Sequence, residues 1–327
     1  MDTTIAQEEP RARFRLSADD KPIVIAIGFV FAILAIGTVY TLITQGTATL
    51  LSPAYLLQQL QVGAFLGIVA AGMMLVILLG HIDLSVPWTL TAAAMMATAV
   101  GGPAAIPVGL AVGLIVGLVN GLGVAYLRIP SMIFTLGVNA VMRGLMVAHT
   151  GGFAPQTTAT ELMQWLAVGK VLGIPVALLV WAVISIGAVV LLNRSTVGKA
   201  IYAIGNKEAA AFLAGVRTKR TIIIAFGLCG MAAGLAGTLL AGYSTKAYQG
   251  MGDAFLLPAI ASVVIGGTNI LGGRGRYLGT LVGVILIVLL NSVLSIMQMP
   301  EAGRQVIYGV VIIMMLLVYG RRENVTQ

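Results

Sequence analysis

Few residues of this chain are placed to do chemistry, and Asp83 is the foremost of them. It lies in the segment 80–87, GHIDLSVP, directly after a long apolar stretch. If that stretch crosses a membrane, a carboxylate at its end costs free energy, and its presence indicates a function. The competing interpretation is structural: the helix breaks, and Asp83 or Ser85 caps the next helix by accepting its free N–H groups. The cap is the favoured interpretation, and it still permits Asp83 to lie beside a solute pathway.

The common signatures of nucleotide, metal and disulfide chemistry are absent from the sequence. The phosphate-binding pattern G-x-x-x-x-G-K-[ST] does not occur, because no Gly-Lys pair is followed by Ser or Thr. The two histidines, His81 and His149, lack partners at metal-ligand spacing, except that His81 lies two residues before Asp83. The single cysteine, Cys229, is expected to be a small buried hydrophobe. We therefore expect no ATP hydrolysis by this chain alone, no metal site and no catalytic residue.

Four further polar residues lie within apolar stretches. Arg143 and Asn139 are one turn apart on the same helix face, and Asn120 and Asn291 lie in other stretches. In a membrane such groups must face protein or water rather than lipid. Arg143 is open to three interpretations, namely snorkelling to the membrane edge, joining two helices or contacting a solute. The asparagines are expected to join helices.

The elements that position these residues are predicted to be membrane-spanning helices. The chain is 59% hydrophobic and only 9% charged, whereas soluble domains are about a quarter charged. Its 41 glycines and aromatic content of 6% favour closely packed helices over a barrel with aromatic girdles. We therefore predict an all-α, polytopic transmembrane helical bundle.

Ten apolar segments are candidate spans: 23–44, 54–79, 87–101, 104–126, 130–148, 171–192, 221–242, 256–272, 277–298 and 304–320. A hydrocarbon core of about 30 Å requires roughly 20 helical residues. The segments 87–101 and 256–272 are short and flanked by Gly and Pro, so broken or re-entrant helices are predicted there.

The basic residues predict the orientation of the bundle. Fifteen of the nineteen Lys and Arg residues fall in the tail 1–22, the turn at Arg128, the loop 193–220, the turn 274–276 and the tail 321–327. By the positive-inside rule these segments, with both termini, lie in the cytoplasm. The net charge of +8 is therefore a topology signal and does not indicate nucleic-acid binding.

Two runs of glycine predict close helix packing. Glycines recur at every fourth position at 109, 113, 117 and 121, and less regularly at 227, 230, 234 and 237. A strip of glycines on one helix face lets another backbone approach closely. Both strips are expected to be structural.

The loop 193–220 contains a predicted docking helix. Its core, EAAAFLAG at 208–215, has a charged start, small residues, a Phe-Leu pair and a glycine stop. A solvated connector does not need this apolar content. We predict that the short helix is exposed and binds another protein.

Four segments carry a resemblance to known proteins. They are GHIDLSV at 80–86, VNG at 119–121, AIGNKEAA at 203–210 with a glycine at 215, and AIASVVIGGT at 259–268 followed by GGRG at 272–275. Together they resemble the permease subunits of ATP-binding-cassette importers of the ribose, xylose and related monosaccharide branch, over about residues 60–320. His81 and the pair Pro87-Trp88 depart from the branch's glycines, which suggests an atypical substrate.

The resemblance implies a transport subunit rather than an enzyme. It implies a cytoplasmic tail at 1–22, a transmembrane permease domain at 23–320 with a coupling loop at 193–220, and a cytoplasmic tail at 321–327. The implied partners are a separate ATPase subunit, which holds ATP and Mg, a periplasmic solute-binding protein, and a second permease copy, identical or similar. The chain itself is expected to bind no cofactor and to lie in the lipid of a bacterial inner membrane as a multi-pass protein.

The resemblance and the polar residues within the apolar segments together give candidate residues for these roles. The predicted ATPase-docking residues are Gly205, Asn206, Glu208, Ala209, Ala210 and Gly215. The predicted candidates for the translocation path are Asp83, Ser85, Asn120, Asn139, Arg143, Thr268 and Asn269.

Two other function classes compete with an importer subunit. An ion-coupled secondary transporter would also explain broken helices, but it usually needs several ionisable groups within the membrane, and Asp83 is almost alone. A membrane enzyme would need a clustered acid, base or metal-ligand set, which the sequence lacks. Aldopentoses, hexoses, polyols and sugar-derived signalling molecules all stay open as substrates.

Overall fold

The computed structural model describes residues 21–153 and 157–323. In this part of the chain thirteen α-helices form one bundle, with a single short hairpin, β1 and β2. Most of the predicted tail 1–22 and residues 324–327 lie outside the described residues. The helices are α1 Lys21–Gln45, α2 Pro53–Leu78, α3 Val86–Val100, α4 Ala105–Leu127, α5 Ser131–His149, α6 Glu161–Val168, α7 Val176–Arg194, α8 Thr196–Asn206, α9 Glu208–Leu213, α10 Thr218–Tyr243, α11 Leu256–Ile265, α12 Tyr277–Ile296 and α13 Glu301–Glu323; the strands are β1 Lys170–Val171 and β2 Ile174–Pro175.

Seven of the described helices are long and apolar enough to cross a membrane. They are α1, α2, α5, α7, α10, α12 and the stretch Gly102–Leu127, which contains α4. α3 and α11 are shorter apolar helices, which agrees with the short helices predicted in 87–101 and 256–272. The all-α, polytopic class is therefore confirmed, whereas the total of ten spans and the side on which the termini lie stay predictions.

Two predicted boundaries were wrong because of local backbone geometry. The predicted span 171–192 begins at Val176 instead, because Leu172 and Gly173 adopt φ values of 51° and 81° in the turn of the hairpin. The predicted span 256–272 ends at Ile265, and Gly267 and Gly272 follow with φ values of 91° and 93°. A helix cannot continue through left-handed residues, so a loop of residues 266–276 replaces its last turns.

Two helices were not predicted as separate elements. α6 begins after Thr160, whose hydroxyl accepts a hydrogen bond from the N–H of Met163 at 3.3 Å. α8 begins after Ser195, whose hydroxyl accepts from the N–H of Gly198 at 2.9 Å. Both are side-chain N-caps, which supply acceptors for the free N–H groups of a helix start.

The centre of the bundle is formed by α2 and α10. In the most apolar part of α2, 83% of residues are buried inside the chain, against 17% in α5 and 11% in α1. α10 packs against α2, α3 and α4, and its Cys229 is buried, as predicted. α1 and α5 therefore leave most of their apolar surface for lipid or another subunit.

The two glycine strips face each other across α4 and α10. A Cβ atom on Gly113 would collide with the carbonyl of Gly230, and one on Gly230 with the carbonyl of Gly113. Gly117 and Gly234 are equally close to the opposing backbone. The absence of side chains thus lets two helices approach at backbone contact, which confirms the structural interpretation of both strips.

Candidate functional site

Three glycine-containing segments meet: the ends of α2 and α8 and the loop 266–276. The N–H of Gly273 donates to the carbonyl of Leu78 at 2.9 Å. A Cβ atom on Gly205 would collide with that carbonyl and with the Gly273 nitrogen. A Cβ atom on Gly272 would lie 2.7 Å from the Gly80 nitrogen and 3.1 Å from the Gly205 carbonyl oxygen. We call Leu78, Gly80, Gly205, Gly272 and Gly273 the glycine junction. The backbones fit together this closely because the four glycines carry no side chain.

Side chains of α8 attach it to the loop 266–276. The Asn206 amide donates to the carbonyl of Tyr202 at 2.9 Å and to that of Gly273 at 3.4 Å. The Tyr202 hydroxyl donates to the carbonyl of Gly275 at 2.8 Å. Side-chain hydrogen bonds therefore hold α8 to the loop 266–276, which is itself bonded to the end of α2.

The short helix predicted at 208–215 is present as α9, and it is exposed. Phe212 is 67% and Leu213 is 85% exposed. The helix ends as its glycine predicts: Gly215, at a φ of 83°, donates to the Phe212 carbonyl, and Val216 donates to that of Ala211, each at 3.0 Å. This pair of hydrogen bonds is a Schellman motif.

The six predicted docking residues fall into two groups. Glu208, Ala209, Ala210 and Gly215 lie on or directly after α9, where all but the half-buried Glu208 are exposed. Gly205 and the Asn206 amide belong instead to the contacts around the glycine junction. Gly205 is half-buried and packed against protein backbone; its contact with a partner stays a prediction.

The charges near α9 are mostly positive. Glu208 forms a 2.7 Å ion pair with Arg128, the residue that ends α4. Lys219 lies over the ring of Tyr126 at 4.5 Å. His81 lies in the connection between α2 and α3, and the pKa of its imidazole is lowered, mainly by burial. The charge of Glu208 raises this pKa and the charge of Arg128 lowers it. The α2–α3 connection therefore lies within electrostatic reach of α9.

Asp83 is buried at the centre of a hydrogen-bonded cluster in this connection. Its Oδ1 accepts from the Ser85 N–H at 2.9 Å and the Ser85 hydroxyl at 2.6 Å. The Asn120 amide donates to Asp83 Oδ1 at 3.2 Å and to Ser85 Oγ at 2.7 Å. Burial raises the pKa of the Asp83 carboxyl and these hydrogen bonds lower it. The donors replace the water that the carboxylate has lost.

The prediction that Asp83 accepts the hydrogen bond that caps α3 was wrong. Neither Asp83 nor Ser85 accepts a side-chain cap bond from the first turn of α3. Pro87 removes one N–H from that turn. The N–H of Trp88 donates to Oδ1 of Asn139 at 3.3 Å, so the acceptor comes from α5.

α5 supplies a polar stripe, of which only Asn139 and Arg143 were among the predicted site residues. The Ser131 hydroxyl accepts from the N–H of Ile82 at 3.4 Å, and the Thr135 hydroxyl accepts from that of Leu84 at 2.9 Å. With Asn139 they occupy successive i, i+4 positions, which lie on one helix face. That spacing is visible in the sequence and would have identified both hydroxyls.

The stripe ends at Arg143, whose guanidinium lies 5.8 Å from the ring centroid of Trp88. At this distance a cation is attracted by the face of an indole ring. Arg143 is exposed on the surface of the chain and Asn139 is half-buried. Both are therefore accessible to a solute or a second subunit.

Most of the other path candidates lie inside the chain. Thr268 is fully buried beside Gly275, and Asn269 closes the loop 266–276 through its N–H to the Arg274 carbonyl at 2.8 Å. Asp83, Ser85 and Asn120 are also buried. Asp83, Ser85, Asn120 and Thr268 are thus shielded from solvent by the chain, whereas Asn269, like Asn139, is half-buried. Asn291 accepts a 2.7 Å hydrogen bond from Arg304 and joins α12 to α13.

The residues described by the structure contain no group of three or more His, Cys, Asp or Glu side chains that could hold a metal ion. The polar clusters consist of amides, hydroxyls and single charges. Such an arrangement can orient helices and bind polar solutes by hydrogen bonds.

The chain has clear relatives. Residues 55–316 match the family described as branched-chain amino acid transport system / permease component. The chain is 33% identical over 276 residues to the ribose import permease protein RbsC of Escherichia coli K12, and 37% identical over 273 residues to RbsC of Bacillus subtilis 168. Each match covers 82% of this chain and 85% of the relative.

A further relative carries another substrate in its name. The chain is 33% identical over 294 residues to the autoinducer 2 import system permease protein LsrC of Enterobacter sp. strain 638, covering 86% of this chain and 85% of the relative. No solved structure matches the chain.

Proposed function

This chain belongs to the family of branched-chain amino acid transport system permease components, and on that premise we propose that it forms the membrane path of an ATP-driven importer. It is a multi-pass membrane protein and a transport subunit. In the proposed system a separate ATP-binding-cassette ATPase holds ATP and Mg, and a periplasmic binding protein delivers the solute. The bacterial relatives support a location in the inner membrane.

The single observation that carries this proposal is the exposed helix α9. A chain without a phosphate-binding loop must receive the energy of ATP hydrolysis from another subunit. Exposed Phe212 and Leu213 offer an apolar contact surface next to the Glu208–Arg128 ion pair. Apolar anchors surrounded by charges are typical of protein interfaces.

The glycine junction supports a route from α9 into the membrane. α9 follows α8 directly, and Gly205 at the end of α8 is packed against the Leu78 carbonyl at the end of α2. A movement of α8 would therefore displace both the α2–α3 connection and the loop 266–276. Close-packed backbones transmit such a shift because they cannot deform continuously.

We assign the path itself to the surface of α5. Most of this helix is exposed, and no atom lies within 4 Å of a Cβ placed on Gly137 or Gly144. An arginine exposed at the middle of an apolar helix must face water or protein rather than lipid. A second permease copy packed near this face would enclose Asn139 and Arg143 in a polar channel.

A monosaccharide is the proposed solute class. RbsC is named as a ribose import permease, and LsrC is named for autoinducer 2. The family description refers to branched-chain amino acids, which gives a competing class of substrate. Amide and guanidinium groups such as those of Asn139 and Arg143 can hydrogen-bond sugar hydroxyls without requiring a charged solute.

The test is transport by a reconstituted complex. The chain would be placed in proteoliposomes with a candidate ATPase and binding protein, and uptake of radiolabelled ribose, xylose and leucine would be measured with and without ATP. We expect sugar uptake that requires ATP, the ATPase and the binding protein. Uptake by the chain alone, driven by a proton or sodium gradient, would identify the secondary transporter instead. ATP-driven leucine uptake without sugar uptake would refute the substrate class.

A further inference from the structure

A basic cleft lies beside the docking helix, between α8 and α10. It has a volume of about 610 Å³. Its rim carries three exposed cations, Lys199, Arg217 and Arg220. No Asp or Glu is among the residues that line it. Such a cluster of uncompensated positive charge attracts an anion.

The floor of the cleft is apolar. It is lined by Val197, Ala200 and Ala203 of α8 and by Ile224 of α10. Ile224 is 40% exposed. A free phosphate or another small, fully hydrated anion gains nothing from contact with these side chains. The cleft therefore fits an amphiphile with an anionic head and an apolar tail.

An apolar track continues from the cleft along α10. Ile224, Leu228, Met231 and Leu235 are separated by four, three and four positions, which places them on one helix face. Ile224 is exposed and the other three are half-buried, so each keeps some surface that a lipid chain can contact. The eleven residue steps from Ile224 to Leu235 rise about 16 Å along the helix axis, close to half of a hydrocarbon core of about 30 Å. That is the depth reached by the acyl chains of one leaflet.

We propose that the cleft between α8 and α10 binds an anionic phospholipid, with its phosphate at Lys199, Arg217 and Arg220 and an acyl chain along the track from Ile224 to Leu235. Arg217 and Arg220 lie at the start of α10, a helix long and apolar enough to span the membrane. Cations at that position lie at the level of the lipid headgroups. An acidic surface of the ATPase would meet the same charges, but a soluble partner does not reach an apolar track that descends along a membrane helix.

The site places a lipid next to the moving parts of the proposed importer. Val216, Arg217 and Arg220 line the cleft directly after α9. A bound lipid would contact α8 and α10 together and so fix their separation. The anionic lipid content of the membrane is then expected to influence the position of α9, which lies between α8 and α10 in the chain.

The test uses the purified, delipidated full chain and native mass spectrometry. Phosphatidylglycerol and phosphatidylcholine with the same acyl chains would be added separately, and bound lipid counted. Each cation near an anionic lipid contributes about fivefold in affinity. We therefore expect Arg217→Gln/Arg220→Gln to weaken phosphatidylglycerol binding roughly 25-fold, and the weak binding of phosphatidylcholine to stay unchanged.

A matched control removes the same number of positive charges from outside the cleft. Arg194→Gln/Lys207→Gln removes two cations from the same loop, neither of which lines the cleft, and should change binding less than about twofold. Equal losses in both double variants, or equal binding of both lipids by the unmodified chain, would overturn the proposal. Displacement of the lipid by soluble glycerophosphoglycerol would show a phosphate site instead. Loss of the lipid on adding the ATPase would assign the cleft to that partner.

Discussion

The glycine junction makes Gly205→Ala the sharpest perturbation of this protein. The added Cβ atom would collide with the Leu78 carbonyl and the Gly273 nitrogen. Overpacking of this kind costs about 1–3 kcal/mol, and loss of the 2.9 Å hydrogen bond between Gly273 and Leu78 adds about 1 kcal/mol. Alanine gains about 0.5–1 kcal/mol over glycine within a helix. The net expectation is a loss of about 1–3 kcal/mol in the free energy of unfolding.

Cys229 offers a direct assay of this loss. It is the only cysteine of the chain and is 1% exposed, so a fluorogenic maleimide should label it only when the bundle opens. Heating the detergent-solubilised protein with the dye gives a midpoint of unfolding. A loss of 1–3 kcal/mol corresponds to a decrease of a few degrees. In the reconstituted complex the same variant should lose coupling between ATP hydrolysis and uptake.

The matched control is Gly187→Ala. Gly187 lies within α7, and no atom lies within 4 Å of a Cβ placed on it. This variant gains helix propensity without a collision, so its midpoint should be unchanged or slightly higher. If Gly205→Ala melts and transports like Gly187→Ala, the close packing at the junction and its role in coupling are both refuted.

Three further predictions use the same assays. Asp83→Leu leaves the buried donors of Ser85 and Asn120 without their acceptor, which should lower the free energy of unfolding by about 1–3 kcal/mol for each donor. Asp83→Asn keeps an acceptor oxygen, so its loss of stability should be smaller. Equal midpoints for the two variants would contradict this prediction. Glu208→Lys breaks a surface ion pair, so the free energy of unfolding should change by less than about 1 kcal/mol. ATP-driven uptake should nevertheless be lost. Full uptake by this variant would refute the docking role of α9. Because the pKa of His81 is lowered on folding, the unfolded chain binds the proton more readily, and stability should fall as the pH decreases through about 6.5. His81→Gln should abolish that part of the pH dependence, as measured by the midpoint at about pH 7.5 and about pH 5.5.

The sequence was sufficient for features that depend on neighbouring residues. Long apolar segments predicted the membrane helices, because a span needs about 20 residues whose backbone hydrogen bonds are satisfied within the segment. The glycine after Leu213 predicted the end of α9, since a Schellman motif is a local structure. The polar stripe of Ser131, Thr135 and Asn139 was also readable from its spacing, although its partners were not.

Tertiary structure decided which segments meet. Leu78, Gly205 and Gly273 are far apart in sequence, and no local preference indicates that their backbones touch. The same holds for Asn139, which caps α3 from α5 in place of the nearer Asp83. Hydropathy and spacing specify where a helix begins and ends and which of its faces is buried. A buried polar group, however, can pair with any complementary group that packing brings within about 3 Å. The identity of that partner is therefore fixed only when the helices are packed.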